Sequence, residues 1–307
     1  MSAKNKLSTI LICLLIFSSC KPGSKPVVEA ENSGQSKQEQ YPAFQHIIDS
    51  ADVKGSMLIY DAQHDIYYSN DFDRCSKGFL PASTFKIPNS IIALETGVVE
   101  SDSSILKWDG KKRRLPIWEK DLTLHDAFHV SCVPCYQEIA RKIGPKRMRK
   151  YLDDFDYGKI VFDSSTIDLF WLEGPSEINQ FQQIEFLQKL YNSKLSVSDK
   201  TIATMKRLMV IEENADYKLS GKTGWAIRNE NNYGWFVGYV EKGKDVYYIA
   251  TNIEPNVSFN MDLFPKIRNE ISMAAFNKLV QSQQEWKSEI KNVQLSILNL
   301  EINDAFY

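Results

Sequence analysis

The chain has 307 residues, of which 43% are hydrophobic and 25% are charged, and its formal net charge at pH 7 is −2. This composition is that of an ordinary globular protein with room for one large domain or two small ones. Without a basic excess, the chain is not expected to bind nucleic acid, because phosphate binding requires clustered positive charge. We therefore predict that the run "KKRR" at residues 111–114 is a solvated loop.

The beginning of the chain has the composition of an export and attachment segment. Two lysines precede an apolar run over residues 7–17, which is too short to span a membrane as a stable helix. Small residues directly before Cys20 resemble a bacterial lipoprotein signal, which implies cleavage of residues 1–19 and a lipid on Cys20. An ordinary secretory signal is the alternative. Residues 20–40 are rich in Ser, Glu, Gln, Lys and Pro and predict a flexible tether. We thus expect an exported, periplasmic protein whose attachment to a membrane depends only on lipidated Cys20.

Three cysteines remain once the signal and Cys20 are set aside: Cys75, Cys132 and Cys135. They lie in a compartment that permits disulfides if the chain is exported. The segment "CVPC" has the spacing of a redox pair, but no strand–helix unit of the thioredoxin kind precedes it. We therefore predict that Cys132 and Cys135 are two buried thiols on one helix.

The hydrophobic pattern predicts strands at both ends of the chain and helices between them. Apolar and polar residues alternate around "DAQHD", which predicts a β-hairpin over residues 55–71. Helical spacing is found over residues 87–96, which end at Gly97, and over most of residues 122–210. Three more strands and a last helix are predicted at residues 217–227, 231–243, 244–253 and 264–280.

This order of elements predicts an α/β fold of the α+β kind. An antiparallel sheet would be closed by the two terminal segments and flanked by terminal helices, with a mostly helical region inserted. We place the folded domain at residues 41–280 and leave residues 281–307 as a C-terminal extension without an assigned role.

The pattern Ser-x-x-Lys occurs four times, at Ser18/Lys21, Ser83/Lys86, Ser104/Lys107 and Ser288/Lys291. Only the second pair lies in an apolar setting, and a spacing of three puts its two side chains on one face of a helical turn. A serine hydroxyl is a poor nucleophile until a base accepts its proton. Burial beside Phe85 and Ile87 would lower the pKa of Lys86 and favour the neutral amine that can serve as this base.

Two further segments offer groups suited to acyl transfer. "SCV" opens a predicted helix and offers the hydroxyl of Ser131, while "KTG" lies on a predicted strand and offers Lys222 and Thr223. Gly224 would let a substrate backbone approach this strand closely. The histidines show no metal-binding spacing such as H-E-x-x-H, so we expect structural or exposed roles for His46, His64, His125 and His129.

Five motifs in this order resemble the class D, oxacillinase-type serine β-lactamases: "PASTFK", "SCV", "YGK", "FWLEG" and "KTGW". Ser-x-x-Lys with Lys-Thr-Gly is shared by penicillin-recognising serine enzymes in general. Ser-x-Val and the Trp-Leu-Glu segment narrow the resemblance to class D. It extends over about residues 54–276 and implies a β-lactamase/transpeptidase-like fold.

The resemblance implies that Ser83 opens the β-lactam ring and becomes acylated. Lys86 would react as a neutral amine with carbon dioxide to give a carbamate (N6-carboxylysine), the general base for acylation and deacylation. The indole N–H of Trp171 would hold this carbamate. Val133 and Leu172 would form the pocket walls and control the access of water. Apart from carbon dioxide or bicarbonate, no cofactor or metal is implied.

The resemblance also implies how the substrate is held and how its ring nitrogen is protonated. Ser131 would relay a proton to that nitrogen with the help of Lys222. Thr223 and Arg268 would bind the substrate carboxylate. The backbone N–H groups of the nucleophile and of Trp225 would form the oxyanion hole, in which one donor can lower the barrier by ~3–4 kcal/mol.

One motif departs from the family pattern. Where class D enzymes have Tyr-Gly-Asn, this chain has Tyr-Gly-Lys, so that Lys159 places a charge at the usual amide position. The segment between Lys159 and Trp171 could also differ in length and change the pocket rim.

The leading hypothesis is hydrolysis of penicillin-type β-lactams, which gives antibiotic resistance. A β-lactam sensor that is acylated once is the first alternative, although the chain has one short apolar run and no H-E-x-x-H motif. A cell-wall peptidase or transpeptidase acting on peptidyl-D-Ala-D-Ala is the second. Only the hydrolase needs rapid deacylation.

Overall fold

The computed structural model describes residues 36–228 and 230–304, with side chains described up to residue 289. The predicted signal at residues 1–19, Cys20 and the first part of the predicted tether lie outside the described residues and stay predictions. Within the described part, no helix is both long and apolar enough to cross a membrane.

A seven-stranded sheet and a separate two-stranded sheet form the β-structure. The strands, in chain order, are β1 (Lys37–Gln40), β2 (Val53–Asp61), β3 (Ile66–Ser69), β4 (Ile105–Leu106), β5 (Leu122–Thr123), β6 (Val210–Glu213), β7 (Lys218–Arg228), β8 (Asn231–Lys242) and β9 (Asp245–Pro255). The large sheet has the order β1-β3-β2-β9-β8-β7-β6, and β4 pairs with β5. All neighbours are antiparallel except β1 and β3.

Helices cover both faces of the large sheet. In chain order they are α1 (Pro42–Ser50), α2 (Phe72–Cys75), α3 (Lys86–Glu95), α4 (Leu124–His129), α5 (Val133–Ile143), α6 (Pro145–Phe155), α7 (Gln180–Tyr191), α8 (Asp199–Leu208) and α9 (Phe264–Asp304). One hydrophobic core joins the sheet to the inserted helices, and a second joins its other face to α1 and α9. The predicted antiparallel sheet with an inserted helical region is therefore confirmed.

Most predicted elements occur close to their expected places. The hairpin predicted over residues 55–71 is formed by β2 and β3, and the helix predicted over residues 87–96 is α3. The three predicted C-terminal strands are β7, β8 and β9. The "KKRR" run is a loop in which only Arg113 is partly buried.

Both predicted limits of the folded domain are wrong. The tether was expected to end at residue 40, yet Lys37–Gln40 is strand β1, held by parallel pairing to β3. The last helix was expected to end at residue 280, yet α9 continues to Asp304. The predicted extension from residue 281 therefore begins as a continuation of a domain helix, and Gln283 there donates to Asp61 at 2.8 Å.

The prediction of two buried thiols at "CVPC" is also wrong. Cys132 and Cys135 form a disulfide, with their Cα atoms 5.4 Å apart. Cys132 is the residue before α5 and Cys135 lies in its first turn, so the helix start brings the two sulfurs together. Cys75 is buried and is the free cysteine of the described residues; burial raises the pKa of its thiol to about 11.

Candidate active site

Ser83 and Lys86 are brought together by a 3₁₀ turn that leads into α3. The turn covers Ala82–Phe85, and α3 begins at Lys86. Ala82 has a φ of 50°, a left-handed conformation that is strained for a residue with a side chain. Lys86 Nζ lies 3.0 Å from Ser83 Oγ and is joined to it by a hydrogen bond.

The amine of Lys86 lies in an apolar environment. Lys86 is 1% exposed, and its Nζ lies 5.0 Å from the ring centre of buried Tyr136. Burial lowers the pKa of Lys86 well below its ordinary value, and the positive charge of Lys222 lowers it further. A neutral amine beside a serine hydroxyl can accept the hydroxyl proton.

Trp171 lies beside this pair with an unused hydrogen-bond donor. Its ring stacks on Phe85 with 5.3 Å between ring centres, and its carbonyl accepts a hydrogen bond from Ala82 N at 2.8 Å. Trp171 is fully buried, and its indole Nε1 has no hydrogen-bond partner among the described residues. A buried donor without a partner is costly, so this N–H is suited to an acceptor that the unmodified side chains do not supply.

A second serine–lysine pair forms where the turn between α4 and α5 meets β7. Lys222 Nζ lies 2.6 Å from Ser131 Oγ, although 91 residues separate them in sequence. Ser131 has a φ of 52°, a left-handed conformation in the short turn between α4 and α5. Burial, followed by the charge of Arg268, lowers the pKa of Lys222 to about 7. This amine can therefore both donate and accept a proton near neutral pH.

One edge of β7 is open beside these two pairs. β6 pairs only with the first residues of β7, at Lys218, Leu219 and Ser220. Gly221 N donates to Met209 O on the β6 side. Because alternate residues of a strand point their N–H groups to the same side, the N–H groups of Thr223 and Trp225 face this open edge.

Gly224 allows the open strand to approach the 3₁₀ turn of Ser83. A Cβ atom at this position would lie 3.2 Å from Thr84 Cγ2 and 3.3 Å from Ala82 Cβ. The missing side chain thus makes room for the protein's own turn. The predicted approach of a substrate backbone to Gly224 stays a prediction.

Arg268 reaches the site from α9. It is 6% exposed, and three of its N–H groups donate to the backbone carbonyls of Gly224, Phe264 and Pro265. Burial lowers its pKa to about 10, so the guanidinium remains charged at neutral pH. Its carbonyl contacts fix this charge near the open edge of β7.

A cavity of about 660 Å³ connects these groups. Ser83, Ser131, Thr223, Trp225 and Arg268 line it, and Val133 and Leu172 form part of its wall, so the structure brings together the side chains that the sequence predicted. Lys86, Trp171 and Lys222 are buried next to it through the contacts described above.

Several residues of the cavity wall were not predicted from the sequence: Arg114, Leu115, Trp118, His129, Glu173 and Ile227. Leu115 and Ile227 are 42% and 56% exposed, and lie outside the five motifs. No sequence signal identified them, although the exposed "KKRR" loop contains Arg114. His129 was expected to be structural or exposed; it is exposed on this wall, and partial desolvation of its ring lowers its pKa.

Lys159, the departure from the family pattern, lies outside the cavity wall. Its side chain is exposed. Its backbone N–H donates to Glu177 O at 2.8 Å, and its carbonyl accepts from Glu177 N at 2.8 Å. The Tyr-Gly-Lys segment is therefore held by its backbone.

Across residues 36–228 and 230–304, no three His, Cys, Asp or Glu side chains are grouped as a metal site.

The buried amine of Lys222 predicts how stability depends on pH. Between about pH 7 and its ordinary pKa of 10.5, Lys222 is protonated in the unfolded chain and neutral in the folded protein. Because the unfolded chain then binds more protons, the free energy of unfolding rises with pH through this window, on the order of 1 kcal/mol per pH unit. We expect the free energy of unfolding of the wild type, relative to that of Lys222→Gln, to rise from pH 7 to pH 9. Urea unfolding at the two pH values measures both free energies. A constant difference would contradict a lowered pKa.

Known proteins resemble this chain over most of its length. Residues 50–272 match the model of the penicillin binding protein transpeptidase domain. Beta-lactamase OXA-10 of Pseudomonas aeruginosa is 42% identical over 234 residues, which are 75% of this chain and 85% of that protein. Beta-lactamase OXA-48 of Klebsiella pneumoniae is 41% identical over 218 residues, which are 71% and 82% of the two chains.

A solved structure agrees with these relatives. The crystal structure of a class D beta-lactamase from Sebaldella termitidis superimposes with a TM-score of 0.75 at 36% sequence identity. The superposition covers 80% of this chain and 98% of that one.

Proposed function

The chain belongs to the penicillin-binding protein transpeptidase domain family and, within it, to the class D serine β-lactamases, and on this basis we propose that it hydrolyses penicillin-type β-lactams and gives resistance to them. One observation carries the proposal: the buried amine of Lys86 lies 3.0 Å from Ser83 Oγ at the wall of a cavity of about 660 Å³.

The first half of the reaction acylates Ser83. Removal of the hydroxyl proton toward Lys86 lets Ser83 Oγ attack the β-lactam carbonyl, and the C–N bond of the ring then breaks. The negative charge on the carbonyl oxygen is stabilised by the backbone N–H groups of Ser83 and Trp225. The Trp225 N–H faces the open edge of β7, which supports this role.

The surroundings of Lys86 fit a carboxylated lysine. The pKa of Lys86 is lowered by burial, and a neutral amine is the form that reacts with carbon dioxide. The buried indole N–H of Trp171, which has no partner among the described residues, is the donor that would hold the added carboxylate. Once formed, this group would supply the general base for both acylation and deacylation. No metal or other cofactor is part of the proposal.

Ser131 and Lys222 protonate the nitrogen that leaves the ring. Their side chains are 2.6 Å apart, and Ser131 lines the cavity that holds Ser83. Ser131 gives its proton to the ring nitrogen and is reprotonated from Lys222, whose pKa of about 7 permits the transfer at neutral pH.

Thr223 and Arg268 bind the carboxylate of the substrate. The hydroxyl of Thr223 and the guanidinium of Arg268 line the same cavity. Three N–H groups of the guanidinium are used by backbone carbonyls, which fixes its position and leaves its charge for the substrate. Val133 and Leu172 in the cavity wall control the access of the water needed for deacylation.

Sensors and cell-wall peptidases share the acylation chemistry, so the test of this function is deacylation. The purified protein should convert many equivalents of a penicillin per molecule and leave a peptidyl-D-Ala-D-Ala substrate intact. Acylation by one equivalent without turnover would favour the sensor. Release of D-Ala would favour the peptidase.

The role of Trp171 predicts a specific effect on bicarbonate dependence. We expect Trp171→Phe to lower kcat by ~10–10²-fold, the effect of losing a hydrogen bond to a charged group. Because the phenyl ring still stacks on Phe85, added bicarbonate should restore part of the loss. Penicillin turnover as a function of bicarbonate concentration measures both effects.

Trp286→Phe is the matched control, because Trp286 is 64% exposed on α9. It should behave like the wild type. A Trp171→Phe enzyme with the bicarbonate dependence of the wild type would contradict the proposed contact.

We further propose an exported, periplasmic protein that is anchored to a membrane by a lipid on Cys20. The support is the sequence alone, with small residues before Cys20 after a short apolar run. Metabolic labelling with a fatty acid should mark the wild type and leave Cys20→Ala unlabelled. Labelling of both would exclude Cys20 as the attachment point.

A further inference from the structure

The Cys132–Cys135 disulfide lies directly beside two groups of the active site. Cys132 separates Ser131, whose hydroxyl contacts Lys222, from Val133 in the cavity wall. The disulfide closes the first turn of α5 onto the residue before the helix. None of the steps proposed above uses it.

The two sulfurs differ in their exposure. Cys132 is fully buried, whereas Cys135 is partly exposed. Both line a second cavity of about 250 Å³, outside the one that holds Ser83. Trp118 is the residue common to the walls of the two cavities. A small thiol can therefore approach the sulfur of Cys135 without entering the substrate cavity.

The local structure also favours Cys132 as the leaving sulfur in an exchange reaction. Its Sγ accepts a hydrogen bond from Cys135 N at 3.3 Å, at the N-terminus of α5. An N–H donor and the positive end of the helix dipole stabilise negative charge on this sulfur. A better leaving thiolate accelerates exchange at the partner sulfur.

The same turn keeps Ser131 in an unfavourable backbone conformation. Ser131 has a φ of 52°, and the turn is closed by hydrogen bonds from Ser131 N to Phe128 O at 3.2 Å and from Cys132 N to Ala127 O at 2.9 Å. A non-glycine residue persists there only when its surroundings hold it. The disulfide is the covalent part of those surroundings.

We propose that Cys132–Cys135 is a thiol–disulfide exchange site whose disulfide positions Ser131 and Val133 for catalysis, so that its reduction by a small dithiol lowers turnover. The inference rests on the proposed hydrolase function. A thiolate of the dithiol attacks Cys135 Sγ, and Cys132 leaves as a thiolate that takes a proton. The second thiol of the reagent then displaces Cys135, so that the dithiol is oxidised to a cyclic disulfide and the protein gains two hydrogen atoms.

The experiment compares the oxidised and dithiothreitol-reduced forms of the purified protein. Intact mass follows the gain of two hydrogens, while penicillin kcat and KM and the acylation rate of Ser83 are measured on each form. We expect kcat to fall on the order of tenfold on reduction, because small displacements of catalytic groups lower rates strongly. The urea midpoint should fall by less than for a disulfide that closes a long loop, since this one spans a sequence separation of only 3. Reoxidation with oxidised glutathione should restore kcat.

Two variants distinguish positioning from unrelated effects of the reductant. Cys75→Ser removes the free buried thiol and should respond to dithiothreitol like the wild type. The Cys132→Ala/Cys135→Ala double variant should have the kcat of the reduced enzyme, and dithiothreitol should not change that kcat. The reversible reduction of the wild type tests the inference even where the double variant fails to fold.

A disulfide that resists dithiothreitol in the folded protein would overturn the inference, as would a fully reduced enzyme with unchanged kcat and acylation rate. These outcomes leave the hydrolase proposal standing. An oxidised protein that is acylated without turnover would defeat the hydrolase proposal instead, and the acylation rate would still test the disulfide.

Discussion

Replacing Ser83 by alanine is expected to lower penicillin turnover by at least ~10⁴-fold, as loss of the nucleophile does in other serine hydrolases. Ser83 Oγ is the atom that forms the acyl bond, and it lies 3.0 Å from Lys86 Nζ. Among the described residues, Lys86 Nζ forms a hydrogen bond with no other hydroxyl. Steady-state hydrolysis measures the rate, and intact mass should show no acylated protein after exposure to penicillin.

Ser288→Ala is the matched control for this variant. Ser288 begins another Ser-x-x-Lys pair and is exposed on α9. Loss of the Ser288 hydroxyl should leave the rates of penicillin hydrolysis and of acylation unchanged. Hydrolysis that persists in Ser83→Ala would show that another group carries the reaction.

Replacing Lys86 by methionine is expected to lower kcat by ~10²–10⁴-fold, the contribution of a general base. Methionine keeps much of the buried volume and removes the amine whose pKa is lowered by burial and by Lys222. Because the same group serves acylation and deacylation, any acyl-enzyme that forms should persist and be detectable by mass. Bicarbonate should have no effect on this variant.

Lys107→Met is the corresponding control. Lys107 is the lysine of another Ser-x-x-Lys pair, Ser104/Lys107. Its side chain is 77% exposed and forms an ion pair with Asp121. An exposed ion pair contributes little to stability, so this change should be nearly neutral. A Lys86→Met enzyme that deacylates at the rate of the wild type would contradict the assignment of Lys86 as the base.

The sequence predicted the core of the site because its signals are local. Ser83 and Lys86 share one helical turn, so their contact follows from spacing alone. The contact of Ser131 with Lys222 joins the turn before α5 to β7 across 91 residues, and only the resemblance to a family suggested it. Leu115 and Ile227 reach the cavity from segments without a motif, and their position depends on how loops pack.

The errors at the domain limits also have physical causes. β1 has the polar sequence "KQEQ", which resembles a tether, and its pairing with β3 is a backbone interaction that leaves no hydrophobic pattern. α9 contains no glycine and no proline after Pro265, so nothing in its sequence ends the helix near residue 280. At "CVPC", the start of α5 brings the cysteines within bonding distance, which their sequence spacing alone did not decide.

The most direct test of a hydrolase that depends on a carboxylated Lys86 is penicillin turnover by the purified protein with and without added bicarbonate, with intact mass recorded during the reaction. We expect many turnovers, at a rate that rises with bicarbonate, and a transient acyl adduct on Ser83. Stoichiometric acylation with negligible turnover, unchanged by bicarbonate, would contradict a hydrolase that depends on a carboxylated Lys86.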